Sequence, residues 1–416
     1  MHEAHGAGRA GGGASSPAEG PGFREVVDGY TDPHGLYEAL RQRDRVSFDP
    51  ASRCWLVTGQ GAVRAILSDP RFVSDPALVA PPSRRPVRRS FIGEAVQKQV
   101  IFADGPRQAR VQRAVLVELS RRGDSLVAPL RAAALELAER ARSRGEVDLV
   151  CEFAVPFSMT AISLILGLPP EPPAQMERLE RWSSTFANVT SGYLQGDMND
   201  IVRLGEYFRQ QVAARRGAPG DDLVGAFLRD GGLDDDEDVV IQCMMAFAAG
   251  RVTTQKLLGN GIPFLLPEWP TWRERGAAGT GFTRRLTEEL LRVVTPTRYV
   301  ARYAASDAEP GEGAGEGHAI RRGERVILFL EAANRDPQAF ADPHALRADR
   351  QPNPHLAFGF GVHRCPGASI ARIEIQSALQ ALLETLAELR PHPSAPPVWE
   401  PNPNLGGYAS YRCLCA

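Results

Sequence analysis

Lysine is nearly absent from this 416-residue chain: Lys98 and Lys256 are the only two, and the other 46 of its 48 basic residues are arginine. Nothing structural forbids lysine elsewhere, so the bias reads as the codon usage of a GC-rich genome. Net charge is missing too, at a formal −2, which removes the electrostatic case for a nucleic-acid or membrane-surface binder. Cysteine is sparse. Cys54, Cys151, Cys243 and Cys365 lie far apart, Cys413 and Cys415 sit on what reads as a frayed tail, and no Cys-x-x-Cys occurs. That excludes a disulfide framework and a zinc ribbon, gives no reason to expect metal at the tail pair, and suits a reducing cytoplasm. Residues 1–22 hold no apolar run, so they are expected to be a disordered tail without signal h-region or membrane anchor. A strand followed by Gly-x-Gly-x-x-Gly is absent. Gly359-x-Gly361 does not supply it, because Cys365 and Pro366 stand where a phosphate-binding helix should start, so a Rossmann domain has no support.

What remains is an ordinary globular composition, 43% hydrophobic and 24% charged, in a chain too long for one minimal domain. Leu36-Tyr37-x-x-Leu40 has helical spacing, and amphipathic stretches follow near 107–120, 126–144, 158–167, 198–215, 237–260 and 282–293. Residues 54–58, 297–303 and 325–330 read as short strands, 62–67 as a helix, and 366–389 as a last helix before a Pro-rich tail of weak strand character. The class expected is mainly α with small β-sheets.

The chemistry is concentrated in Phe358-Gly359-Phe360-Gly361-Val362-His363-Arg364-Cys365-Pro366-Gly367, which leads straight into the last helix. A cysteine on a Gly-rich loop at a helix N-terminus meets unpaired N–H groups that favour its thiolate. Such a thiolate serves as a nucleophile, for which His363 is the only local base, or as a metal ligand. A buried cysteine on a tight turn is the plain structural alternative.

The full spacing Phe-x-x-Gly-x-x-x-Cys-x-Gly, with His355-Leu356-Ala357 before it and Ala368-Ser369-x-Ala371-Arg372 after it, resembles the haem-binding loop of bacterial members of the cytochrome P-450 family. The resemblance implies a triangular helical prism around a buried haem b (iron protoporphyrin IX), formed by one catalytic domain over 23–416. Cys365 would be the axial iron ligand, its thiolate favouring O–O cleavage. Phe358 would pack beside it, Gly361 would allow close backbone approach to sulfur, Gly367 would belong to the cofactor-binding set, and His363 would turn towards a haem propionate. Glu289-x-x-Arg292, ahead of Thr295-Pro296, resembles the family's K-helix, whose pair forms a buried structural ion triad with a later arginine, here Arg350. Arg302 matches the propionate-binding arginine. Segments 68–72 and 333–337 also look like the family, so the likeness runs from about residue 32 to the C-terminus.

Two segments depart from the pattern. The family's central helix usually reads Ala-Gly-x-acid-Thr-Thr, and this chain reads Ala249-Gly250-Arg251-Val252-Thr253-Thr254. The resemblance places Thr253 beside the reacting oxygen with Ala249 and Gly250 around it, and gives proton relay to the acid, which valine cannot perform. The expectation is that ordered water and a polar group on the substrate replace it. Arg251 stands about 200° round the helix from Thr253 and is expected to bond elsewhere. Gln108 and Gln112 occupy positions that usually carry the His and Arg of propionate binding, with Arg113 either compensating or facing a redox partner. Propionate anchoring would then rest mainly on Arg302 and His363.

Arg84, Arg85, Arg88 and Arg89 crowd a loop that by resemblance covers the substrate entrance. It reads as a solvated loop, or as facing a carboxylate substrate or an acidic carrier protein. The leading expectation is a soluble, cytoplasmic monooxygenase tailoring a small secondary metabolite. It would draw electrons ultimately from NAD(P)H through a ferredoxin and ferredoxin reductase, with no nucleic-acid or membrane partner. Two alternatives stay open: a haem enzyme of coupling, nitration or rearrangement chemistry, and a non-oxygenating recruitment module.

Overall fold

The computed structural model describes residues 20–80, 90–230, 233, 235–277, 279–309 and 318–416; the Arg84–Arg89 cluster and the 310–317 loop lie outside them. Two short helices, α1 (Phe23–Asp28) and α2 (His34–Arg43), precede strands β1 (Val46–Asp49) and β2 (Cys54–Val57). Cys54-Trp55-Leu56-Val57 is buried at every position, as a strand covered on both faces must be. Helix α3 (Gln60–Ser68), strand β3 (Phe72–Val73) and helix α4 (Phe91–Gln97) follow.

The two stretches expected at 107–120 and 126–144 are one helix, α5 (Gly105–Arg144), which runs through Pro129 and stops at Gly145 in the left-handed conformation. Between the two expected stretches Arg122 donates to the carbonyls of Leu164 and Ile165, at a helix C-terminus, where carbonyls lack intrahelical partners. Those carbonyls end α6 (Val155–Leu166), which follows β4 (Glu146–Asp148) and a π-helical turn at Leu149–Ala154. Residues Leu149–Leu166 are long and apolar enough to cross a membrane, yet 61% of the span is buried inside the protein. The sequence reading missed α7 (Pro173–Thr190). Helices α8 (Met198–Arg215), α9 (Leu223–Asp230), α10 (Asp236–Gly261), α11 (Trp269–Gly276) and α12 (Thr280–Val294) complete the central set.

Strands β5 (Tyr299–Ala304) and β6 (Arg325–Phe329) then join the first sheet, in the order β1-β2-β6-β5-β3. A short α13 (Leu330–Ala333) and the cysteine loop lead to α14 (Ala368–Thr385), followed by β7 (Leu389–Pro391), β8 (Val398–Glu400), β9 (Gly407–Ser410) and β10 (Arg412–Cys415). The C-terminus is not frayed, as the sequence suggested. Strand β10 lies between β4 and β7 in a three-stranded sheet, where Cys413 and Cys415 are buried and free. The molecule is mainly helical with small sheets. Its largest apolar cluster gathers α5 to α8, α10, α12 and α14, and α10 is buried along most of its length.

Candidate active site

Within α10 one stripe stays open. Ala249 is exposed and Met245, Ala246, Gly250 and Thr253 are half-buried, so the openings recur at i, i+4 and i+8 on one helix face. Thr253 Oγ1 donates to the Ala249 carbonyl at 2.7 Å. Gly250 serves packing: a Cβ there would stand 2.7 Å from Ile162 Cδ1 on α6, so its small size lets the two helices cross closely. The adjoining Thr254 donates to Glu374 of α14 at 2.5 Å, which ties the stripe to the helix that the cysteine loop opens.

Cys365 ends that loop. Its N–H donates to the Phe358 carbonyl at 2.9 Å, closing the loop, and the Cys365 residue is left exposed. Burial raises the thiol's pKa, while the Gly367 N–H and the guanidiniums of Arg372 and Arg364 pull it down. The Cβ missing from Gly367 would lie 3.8 Å from the sulfur. Phe358 packs under the Arg372 guanidinium, 4.7 Å from its ring centre. Gly361, at φ +70°, differs from expectation: an added Cβ would collide with the Leu67 carbonyl at 2.2 Å. Its close approach is to the end of α3 rather than to sulfur.

Arg302 is 7% exposed and donates to the Ala301 carbonyl at 2.8 Å. Burial pushes its pKa down to about 10, opposed only by the charge of Asp104. A buried guanidinium with no carboxylate in contact among the described residues suits an anionic ligand edge. His363 departs from expectation, since its Nε2 lies 3.0 Å from Asp104 Oδ1. Gln108, expected among the cofactor-binding residues, and Gln112 both reach the cysteine loop. Gln108 donates to the Val362 carbonyl at 2.8 Å and Gln112 to the Arg364 carbonyl at 2.9 Å, so both amides are spent on the loop. Arg113 is exposed.

Behind the loop, Arg292 grips Glu289 through two bonds of 2.7 and 2.9 Å, both side chains being fully buried. Arg350 Nε reaches both oxygens of Glu289 at 3.1 and 3.2 Å. Burial raises the Glu289 pKa, but hydrogen bonds from Arg292, the Arg347 N–H and Arg350 outweigh it and hold it low. Arg251 is fully buried and turned to α7, donating to Ser183 at 2.9 Å and Ser184 at 2.6 Å. It and Val252 line a cavity of about 390 Å³ shared with Glu180, Lys256 and Glu400.

The sequence reading passed over Glu374. Burial lifts its pKa to about 7, against the lowering effect of the Thr254 hydroxyl. A carboxyl whose folded pKa exceeds its unfolded value binds more protons folded than unfolded between about pH 4.5 and 7. Its stabilisation is full below that window and is lost as pH rises through it, a change on the order of 3 kcal/mol. Glu374→Gln is expected to flatten the fall in denaturant midpoint between those pH values; an unchanged slope would show that Glu374 is ionised in the fold.

The donor set fits an iron porphyrin: one thiol open to ligation and one buried guanidinium free for an anionic edge. A family profile described as Cytochrome P450 matches residues 281–405. Mycinamicin IV hydroxylase/epoxidase of Micromonospora griseorubida is 33% identical over 87% of this chain and 91% of its own. The cytochrome P450 monooxygenase PikC of Streptomyces venezuelae is 30% identical over 90% of this chain and 89% of its own. Among solved structures, P450BioI in complex with an acyl carrier protein ligated to hexadec-9Z-enoic acid superposes with a TM-score of 0.82 at 25% identity, covering 94% of this chain and 100% of that one. The chain belongs to the cytochrome P450 family.

Proposed function

We propose that residues 23–416 form one catalytic domain that binds haem b through Cys365 and oxidises a small secondary metabolite in the cytoplasm. The observation that carries this reading is Cys365, exposed just ahead of α14, with the small-residue stripe of α10 tied to that helix. Haem, when bound, supplies the iron at which dioxygen is activated. The chain's own residues do the rest. Cys365 furnishes the thiolate ligand, and Arg302 offers a positive charge to a propionate. Ala249 would leave open space beside the bound haem, and Thr253 would present a hydroxyl for a proton. Electrons from NAD(P)H would arrive through a ferredoxin and its reductase. The exposed Arg110, Arg113 and Arg364, interleaved with the exposed Leu116, Val117 and Val362, give an acidic carrier protein both charge to steer it and apolar area to bury.

The tailoring assignment is supported by the mycinamicin hydroxylase and PikC. The acyl carrier protein bound to P450BioI supports a tethered substrate, for which the charges of Arg84, Arg85, Arg88 and Arg89 would be complementary. Titrating macrolide aglycones and acyl carrier proteins into the purified protein, then adding ferredoxin, reductase and NADPH, tests the reading. A substrate-induced shift of the haem band followed by an oxygenated product is expected. Val252 favours the second reading, of coupling or rearrangement chemistry or of recruitment. Binding with no product oxygen, or no electron consumption, would establish that one instead.

A further inference from the structure

One ridge of α5 zips onto three consecutive residues of the cysteine loop. Asp104, at the helix N-cap, Gln108 and Gln112 are spaced at i, i+4 and i+8, so they line a single face. Asp104 pairs with the His363 ring at 3.0 Å, Gln108 donates to the Val362 carbonyl at 2.8 Å, and Gln112 donates to the Arg364 carbonyl at 2.9 Å. The ridge is itself braced. Gln108 also donates to the Gln112 side-chain oxygen, and the second oxygen of Asp104 accepts from the N–H groups of Ser74 at 2.9 Å and Asp75 at 2.7 Å. The gripped residues, Val362 to Arg364, immediately precede Cys365. From the other side Gly361 is pressed against the Leu67 carbonyl, so the loop is clamped between α3 and α5.

We propose that Asp104, Gln108 and Gln112 are positioning residues for Cys365: they fix the backbone that sets the height and hydrogen bonding of its sulfur. This inference rests on Cys365 being the iron ligand and adds how the chain aims it. Backbone carbonyls of a tight loop point wherever local turn geometry sends them, and two amide donors four residues apart on a rigid helix remove that freedom. A sulfur so fixed keeps its N–H and guanidinium neighbours at constant distance, which stabilises the thiolate. The two donors to the loop carbonyls are neutral amides, and the charge in the clamp is the Asp104 carboxylate, paired with the His363 ring.

Gln112 is the member to change, since it is only half-buried and its loss leaves the core intact. Gln112→Glu keeps the length but turns a carboxylate oxygen towards the Arg364 carbonyl, and Gln112→Met removes the donor without adding charge. Three readouts are taken on haem-loaded protein: the carbon-monoxide spectrum, the ferric/ferrous potential, and amide exchange over 361–365. Both variants are expected to raise exchange in that segment about tenfold, as loss of one hydrogen bond that holds the loop backbone implies. The ferrous carbon-monoxide complex should shift part of its population to the thiol-ligated spectrum, more in Gln112→Glu than in Gln112→Met, and the potential should move with it. A lower melting temperature with unchanged spectrum, potential and local exchange would overturn the proposal, because it would make the amides ordinary packing. Absence of any thiolate-type spectrum in the unaltered protein would instead reject Cys365 as the ligand.

Discussion

Glu289→Ala is expected to leave little soluble, haem-loaded protein. The carboxylate is fully buried and is the shared acceptor of Arg292, Arg350, the Asn353 side chain and the Arg347 N–H. Arg292 also donates to the carbonyls of Asn334, Pro343 and Ala345, so its head cannot swing out to water. Removing Glu289 strands that guanidinium, and with it most of the compensation for Arg350. Breaking a buried pair from one side costs about 3–5 kcal/mol, a large share of a typical stability of about 5–15 kcal/mol. The loss falls on the segment 334–353 that feeds the cysteine loop. Soluble yield, denaturant midpoint and haem-to-protein ratio measure it. Glu289→Gln, which keeps two acceptor or donor positions but loses the charge, should fall between. Normal yield and haem content in Glu289→Ala would show that the two arginines find other acceptors.

The second large effect concerns protons. A positioned acid, base or hydroxyl contributes about 10²–10⁴-fold to a proton-transfer step. Thr253 is the hydroxyl on the open stripe of α10, and Thr253→Ala is expected to raise hydrogen peroxide release strongly at the expense of product. Val252 stands where the resemblance of the central helix leads one to expect the reloading acid, and it borders the cavity that also holds Glu180 and Glu400. Val252→Asp would put a carboxylate among Arg251 and Lys256, able to collect protons from that cavity. It is expected to improve coupling with apolar surrogate substrates and to matter little with the proper substrate, whose own polar group and ordered water then serve. Peroxide and product per NADPH consumed separate the cases. Unchanged coupling in both variants would remove residues 252 and 253 from proton handling and favour the recruitment reading.

The cysteine loop was legible because its demands are local: turn glycines, a helix start and one thiol within ten residues. Helices α8 and α10 were legible from apolar periodicity, their ends falling within a residue or so of those expected. Helix α7 was missed because its apolar positions, Leu179, Trp182 and Phe186, sit among charges and serines, and its buried face is completed by Arg251 from another helix. The loop contacts of Gln108, Gln112 and His363 were invisible for a different reason. A side-chain amide that bonds a carbonyl some 250 residues away leaves no pattern in either segment, since every residue has a carbonyl to offer. Glu374 was invisible on the same grounds: its partner is the Thr254 hydroxyl on another helix, and only burial makes it unusual. The ion triad lay between, because Glu289-x-x-Arg292 fixes two members by helix spacing while Arg350 is placed by tertiary structure alone.

The central claim is that Cys365 holds iron as a thiolate, and the most direct measurement is the carbon-monoxide difference spectrum of the dithionite-reduced protein beside that of Cys365→Ala. The unaltered protein should show the thiolate-type band, and Cys365→Ala should lose it completely, whether or not some haem stays in the fold. A Cys365→Ala protein that retained the thiolate-type band would contradict the account.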